Sequence, residues 1–381
     1  MNCTYLLPIR RSTFNNAEAQ TIASYLAVIR SEVSEIILVD GSPADVFNAQ
    51  GALWSGVCRH ERVDRRFGFL NDKVNGIQTG VRLAANEHII LADDDIRYTP
   101  ADIEQIIVLL ERFEVVRPQN YFRFRNVASV AGRGSLSASA RNAGGNQDED
   151  QWPAASATDH GQDAQATGGI PARMEASRML INRATLRTAD YPGTCAFRRG
   201  TFLRSGRYDG DVLFDNEELI RHLVRGGAQT CFANDLFIRK RPPAFRKWIE
   251  QRPRQAYEDF GLRAKTAMFA LLPLLITGCG LVWGLNTMFI AAVVLALLAV
   301  ALAMGGRARG QARRFFPAHI CWFAPLWVFE RVISTYWAFY WFLRKGGYPF
   351  GERLLQKGIG RDWVEGGKIA SQTLNSSTIQ R

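Results

Sequence analysis

No Cys-x-x-Cys pair occurs in this sequence, and its six cysteines, Cys3, Cys58, Cys195, Cys231, Cys279 and Cys321, lie far apart. That scatter excludes a zinc ribbon, offers no disulfide framework, and fits single thiols in a reducing compartment. The opening residues, Met1-Asn2-Cys3-Thr4-Tyr5-Leu6-Leu7-Pro8, lack a basic stretch ahead of a long apolar core. They read as a first strand rather than a secretory signal, so the N-terminal portion is expected never to be exported. No internal repeat is present. The stretch from Ala267 to Met304 has no charged residue at all.

A spanning helix needs about 20 apolar residues. Ala267 to Met304 can hold two, expected at about 267–285 and 287–304 with a turn near Gly284-Leu285-Asn286. The formal charge of +11 first suggests nucleic acid. Its location argues otherwise. Arg239, Lys240, Arg241, Arg246, Lys247, Arg252 and Arg254 precede the apolar run, and Arg307, Arg309, Arg313 and Arg314 follow it. Basic residues at both ends of a helical hairpin place both ends in the cytoplasm and attract anionic lipid headgroups. The reading is a multi-pass protein of the inner (plasma) membrane, with its N-terminal domain cytoplasmic and no nucleic-acid partner. Phe315 to Leu343 carries twelve aromatic residues and a central Glu330-Arg331 pair. Burying that pair at mid-bilayer is costly, so a re-entrant or surface-lying helix is expected there, followed by a cytoplasmic tail over 346–381.

Strand and helix patterns alternate through the first 125 residues. Thr4 to Ile9, Glu35 to Val39 and Glu87 to Ala92 read as buried strands. Asn15 to Ile29, Asn71 to Ala85 and a stretch from Thr99 or Pro100 to Phe113 read as helices, with Asn71 as a cap. This alternation predicts an α/β fold, with helices on both faces of a mostly parallel sheet and ligands at the strands' carboxyl ends. Gly132 to Gly169, poor in large aliphatics, reads as a flexible insertion within a domain spanning 1–260. Beyond it, Ala172 to Leu186 reads as an amphipathic helix, Cys195 to Phe197 as a short strand and Asp215 to Arg225 as a helix.

Asp93-Asp94-Asp95 ends the third of those strands. In extended backbone, residues two apart share a face. Asp93 and Asp95 can therefore converge on one Mg2+ or Mn2+, which typically bridges a carboxylate and substrate phosphates, while Asp94 faces away. Arg252 and Arg254 suit a diphosphate. Lys73 and Asn75 open a helix on the same sheet edge but read as solvated surface.

Four stretches in order make the first 260 residues resemble the family 2 glycosyltransferases. They are Leu7-Pro8-Ile9-Arg10, Val39-Asp40-Gly41-Ser42, Leu91-Ala92-Asp93-Asp94-Asp95 and Gln251-Arg252-Pro253-Arg254. The resemblance implies the GT-A fold and inverting, metal-dependent transfer of a hexosyl-type group from a nucleotide-diphosphate sugar. It further implies that Pro8, Asp40, Asp93, Arg252 and Arg254 bind the donor, with Asp40 on the nucleoside, and that Asp93 and Asp95 hold the metal. A lipid-linked or cell-envelope glycan would be the acceptor. The family's acidic catalytic motif is matched by Asp215-Asn216-Glu217-Glu218-Leu219, with Asn216 where the family places its base. The base is then Asp215, Glu217 or Glu218, with Asp215 first at the helix mouth. Gln255 replaces the Trp of the last motif, which favours single-sugar transfer over polymer synthesis. Two other readings stay open. A degenerate, non-catalytic membrane scaffold is one. A nucleotidyltransferase is the other, though Arg10-Arg11-Ser12-Thr13 lacks the glycines such a loop would carry.

Overall fold

The computed structural model describes residues 1–124, 169–186, 193–261, 263–350 and 353–358. Most of the expected insertion at 132–169 and the residues after 358 lie outside these. The chain runs β1 (Cys3–Ile9), α1 (Asn16–Ile29), β2 (Glu35–Asp40), α2 (Ala44–Trp54), β3 (Arg59–Arg62) and α3 (Asp72–Leu83). Next come β4 (His88–Ala92), β5 (Ile96–Arg97), α4 (Pro100–Leu110) and β6 (Val115–Tyr121). After residue 168 follow α5 (Ile170–Thr185), β7 (Thr194–Arg198), α6 (Arg199–Ser205), α7 (Asp215–Arg225), β8 (Thr230–Lys240) and α8 (Phe245–Glu258).

Eight strands form one sheet in the order β3-β2-β1-β4-β7-β6-β8-β5. β3, β2, β1 and β4 are mutually parallel, as are β6 and β8, whereas β7 runs antiparallel to both its neighbours. Side chains alternate across β1, as strand geometry requires. Tyr5, Leu7 and Ile9 pack with Leu26 of α1 and Ile106 of α4 on one face, and Leu6 packs with Ile77 and Val81 of α3 on the other. The α/β layering expected from the alternation is therefore present. Asn71 accepts from the Lys73 backbone N–H, and Thr99 forms a reciprocal capping box with Asp102, which fixes where α3 and α4 start. Gly76 lets α3 lie close against β1, because a β-carbon there would stand 2.8 Å from Pro8. That approach carries the first turn of α3 to the carboxyl end of β1.

The apolar run forms α9 (Arg263–Trp283) and α10 (Leu285–Ala308), both long and apolar enough to cross a membrane. Gly284 turns between them at φ 90°, a left-handed backbone position that favours glycine. Their side chains are largely unburied, Leu281 at 89% and Phe289 at 70% exposure. A buried soluble-core hairpin is therefore not what these helices make. α9 starts earlier than expected, at Arg263, and α10 ends later, at Ala308, because each helix continues into the polar residues at the open end of the hairpin. The hairpin is fixed at its base, where Ala299, Val300 and Ala303 pack with Met179 and Leu180 of α5. Residues 174–182 of α5 are buried in an unbroken run, so this helix is an internal strut rather than amphipathic.

The aromatic segment folds into α11 (Ala312–Phe315), a 3-10 turn (Ala318–Phe323) and α12 (Ala324–Tyr340). α12 continues without a break into a π-helical turn over Trp341–Lys345. Its Arg331 is buried and its Glu330 partly buried against the α/β domain. Arg331 lies 3.4 Å from Asp259 and donates to Gln255, and Glu330 lies 3.8 Å from Arg252. Leu326, Phe329, Ile333, Trp337 and Tyr340 are exposed at helical spacing along the face opposite Arg331. The tail does not begin at 346. β9 (Tyr348–Phe350) and β10 (Arg353–Leu355) return to the domain, and Lys357 and Gly358 carbonyls accept from Leu213 and Phe214.

A β-carbon at Gly306 would collide with the Leu180 carbonyl, whereas one at Gly305 would meet nothing within 4 Å. Gly306→Val should therefore lower stability by about 1–3 kcal/mol or more through forced displacement. Gly305→Val should leave the melting temperature in detergent unchanged, and equal effects would contradict the close packing of α10 on α5.

Candidate functional site

At the carboxyl ends of β1 and β4 opens a cleft of about 650 Å³. Pro8 to Ser12 run from the last residues of β1 into the loop beyond it, Asp72 and Lys73 come from the start of α3, and Asp93 to Asp95 follow β4. Asp215 to Glu217 enter at the N-terminus of α7, and Lys240 ends β8. Lys247, Gln251, Arg254, Gln255 and Glu258 form one face of α8, three or four residues apart, and Phe350 of β9 closes that wall. The site thus lies where an open α/β sheet places its ligands.

The acidic triplet does not continue the strand. Asp94 and Asp95 form a turn, with the Ile96 N–H donating to the Asp93 carbonyl. The alternation of extended backbone no longer applies, and all three carboxylates line the cleft. Asp94, expected to face away, is instead paired with Arg11. Burial opposes its ionisation, but Lys247 and Arg11 outweigh that and hold its carboxyl below the usual range. Asp95 is shifted upward, first by burial and then by Asp93 and Asp94, against the pull of Lys240, 3.5 Å away. Asp93 is held by Lys73 at 2.5 Å and is backed by Gly193, whose missing side chain leaves room for its carboxylate.

Lys73 is the residue that sequence reasoning undervalued. Read as surface, it lies inside the cleft, with Nζ 2.5 Å from Asp93, 2.7 Å from Asp215 and 3.2 Å from Asn216 Oδ1. Burial opposes its charge, but Asp215 and Asp93 raise its pKa well above the ordinary lysine value. Its position one residue into a capped helix, next to the strand ends, was the available signal. Asn75 is a local brace instead, accepting from the Phe69 N–H and donating to the Phe69 carbonyl.

The three candidate bases separate. Asp215 lines the cleft at the first turn of α7, where the helix dipole favours a carboxylate. Glu217 also lines it but is clamped by Arg117 at 2.6 Å and Arg221 at 3.1 Å. Burial opposes its charge, yet the two guanidiniums keep it ionised below the usual range. Glu218 turns away, 2% exposed and 3.4 Å from Arg225, and does not line the cleft.

Among the expected donor-binding residues, Pro8, Asp93 and Arg254 line the cleft, whereas Asp40 and Arg252 do not. Asp40 is 1% exposed, and its carboxylate accepts from the Ser42 N–H and Gln50 and stands 3.0 Å from His60. Its charge organises the loop after β2. Arg252 points inward to Glu175 and the Trp248 carbonyl. The basic cluster before the apolar run is accordingly divided, with Lys240, Lys247 and Arg254 in the cleft and Arg252 in the interior.

For a divalent metal, no group of three or more His, Cys, Asp or Glu side chains is assembled among the described residues. Asp93 and Asp95 nevertheless suit a Mg2+ or Mn2+ ion that draws its other ligands from phosphate and water. Asp95 Oδ1 is buried without a hydrogen-bond partner, an acceptor left for such a ligand.

Glu258 went unnoticed in the sequence, although it continues the face begun by Gln251 and Arg254. It is 3% exposed, and Arg254 Nε donates to it at 3.3 Å. Burial pushes its pKa up to about 8, with Asp259 adding to the shift and Arg254 opposing it.

No protein-family model matches the chain, and no curated protein matches it. By structure it is similar to a mannosyltransferase from Pyrobaculum calidifontis in complex with GDP-Man and Mn2+. The TM-score is 0.43 at 16% identity, over 88% of this chain and 87% of that one. It is also similar to glucosyl-3-phosphoglycerate synthase from Mycobacterium tuberculosis in complex with Mn2+, UDP and phosphoglyceric acid. There the TM-score is 0.36 at 12% identity, over 65% of this chain and 72% of that one. At such values the likeness is one of outline, and nothing about activity follows from it.

The Glu258 shift has a measurable consequence. A carboxyl whose folded pKa exceeds its unfolded one keeps the folded protein more protonated between the two values, so stability falls as pH rises through that window. From about 4.5 to about 8, wild-type protein should lose melting temperature relative to Glu258→Gln. Parallel pH curves for the two proteins would contradict the raised value.

Proposed function

We propose that this chain is an inverting glycosyltransferase that moves a sugar from a nucleotide-diphosphate donor to a lipid-linked or cell-envelope glycan acceptor. The observation carrying this reading is the convergence of Asp93, Asp95 and Asp215 in one cleft walled by Arg11, Lys240 and Arg254. The cations suit a diphosphate, and the acids suit a metal and a proton transfer. In such a reaction the acceptor hydroxyl gives its proton to Asp215 as its oxygen attacks the anomeric carbon. The bond from that carbon to the diphosphate oxygen breaks, and the nucleoside diphosphate leaves with the electron pair. Asp93 and Asp95 would hold Mg2+ or Mn2+, which supplies Lewis-acid neutralisation of the departing charge. Lys240 and Arg254 add fixed positive charge beside the same group. The Gln251, Gln255 and Phe350 wall offers the polar and aromatic surface an acceptor sugar needs.

The membrane side of the reading is supported by α9 and α10 and by the exposed aromatic stripe of α12. Both ends of the hairpin join the α/β domain. A bilayer crossed by the hairpin would leave the cleft, α12 and residue 358 on one side, and basic flanks make that side cytoplasmic. Aromatic side chains along α12 suit the interface.

The test uses full-length protein in detergent with a panel of UDP- and GDP-sugars. Release of nucleoside diphosphate should need Mg2+ or Mn2+, and chelation or Asp95→Ala should abolish it. Asp215→Asn should slow turnover by about 10²–10⁴, the usual share of a general base, with donor affinity unchanged. Full turnover in excess chelator would remove the metal from the account, and an active Asp215→Asn would remove the base.

A further inference from the structure

The ammonium of Lys73 has three N–H donors. It donates one to Asn216 Oδ1 at 3.2 Å and is ion-paired with Asp93 Oδ1 at 2.5 Å and Asp215 Oδ2 at 2.7 Å. We propose that Lys73 is an interlock, a built-in cation that ties the metal carboxylate to the base carboxylate and must be released before either can act. The inference rests on the nucleotide-sugar reading above.

The electrostatics carry it. A dication approaching Asp93 meets an ammonium already in contact with that carboxylate, and Lys240 stands 3.5 Å from Asp95. Metal alone must therefore bind weakly. A nucleoside diphosphate arriving with the metal brings negative oxygens to which Lys73 and Lys240 can turn. Asp93 is then freed for the metal, and Asp215 loses its counterion and becomes available to the acceptor proton. Metal and diphosphate thus strengthen each other's binding, a coupling that is reciprocal by thermodynamic necessity. Asn216 acquires a purpose in this scheme. A neutral amide completes the lysine's shell, whereas a third carboxylate there would hold the ammonium too firmly to release it. A base that stays tied until the donor arrives also protects the donor-free site from idle proton transfer.

Mn2+ binding to full-length protein in detergent, with and without UDP or GDP, tests this by counting free ion rather than turnover. In wild type, one of the nucleotides should tighten Mn2+ binding at least tenfold. In Lys73→Met, Mn2+ alone should bind at least about tenfold more tightly, the order expected from removing one unit charge a few ångströms from a dication. The gain from nucleotide should shrink accordingly. Asn216→Ala keeps both carboxylates and the lysine, and should shift Mn2+ affinity the same way by a smaller factor, guarding against misfolding of Lys73→Met. Nucleotide-coupled Mn2+ binding in wild type, with no gain in either variant, overturns the interlock alone. Absence of Mn2+ binding with either nucleotide overturns the transferase reading and the interlock together.

Discussion

Carboxylates crowd one cleft in this protein, and each is within reach of a cation: Asp93 and Asp215 of Lys73, Asp94 of Arg11, Asp95 of Lys240 and Glu217 of Arg117. Like charges this close raise one another's pKa and push the walls apart unless neutralised. The architecture supplies the cations from elements distant in sequence. β1 gives Arg11 just past its end, α3 gives Lys73, and β8 gives Lys240. The packing of α3 on β1 through Gly76 and the placement of Gly193 behind Asp93 are what bring these groups together.

The same logic recurs where the domain meets the rest of the chain. Glu175 of α5 with Arg252 of α8, and Asp259 just past α8 with Arg331 of α12, are buried pairs. Burying such charges is costly unless each is partnered, and removing one partner costs more than the pair contributes. These pairs therefore make the attachment of α12 to α8 specific, while the apolar contacts of Trp327 with Phe269 and the base of α10 fill the space between. Because α8 also lines the cleft and its Trp248 packs in the cluster at the hairpin's base, one helix touches both.

Local signals were legible in the sequence wherever local physics decides the outcome. Asn71 and Thr99 cap helices because their side chains reach nearby backbone N–H groups, and Gly284 turns because its φ suits glycine. Apolar runs at β1, β2 and β4 read directly as buried strands. Other placements needed tertiary knowledge. Asp94 enters the cleft because the chain turns at that point. Asp40 is spent on Gln50 and His60, and Arg252 on Glu175, partners that no spacing rule connects. Lys73 looked solvated because lysine near a helix start commonly is. Glu258 was hidden because its surroundings are completed by residues 353–358 lying against the end of α8, which the composition of the C-terminal segment does not reveal.

The central claim is that the cleft is a joint site for a divalent metal and a nucleoside diphosphate. Crystals grown with Mn2+ and UDP or GDP, located by the anomalous signal of manganese, test it directly. The account predicts one ion between Asp93 and Asp95, in contact with the diphosphate, with Lys73 Nζ moved from Asp93 onto a phosphate oxygen. A nucleotide bound elsewhere, or manganese absent from the cleft while Lys73 still bridges Asp93 and Asp215, would contradict it.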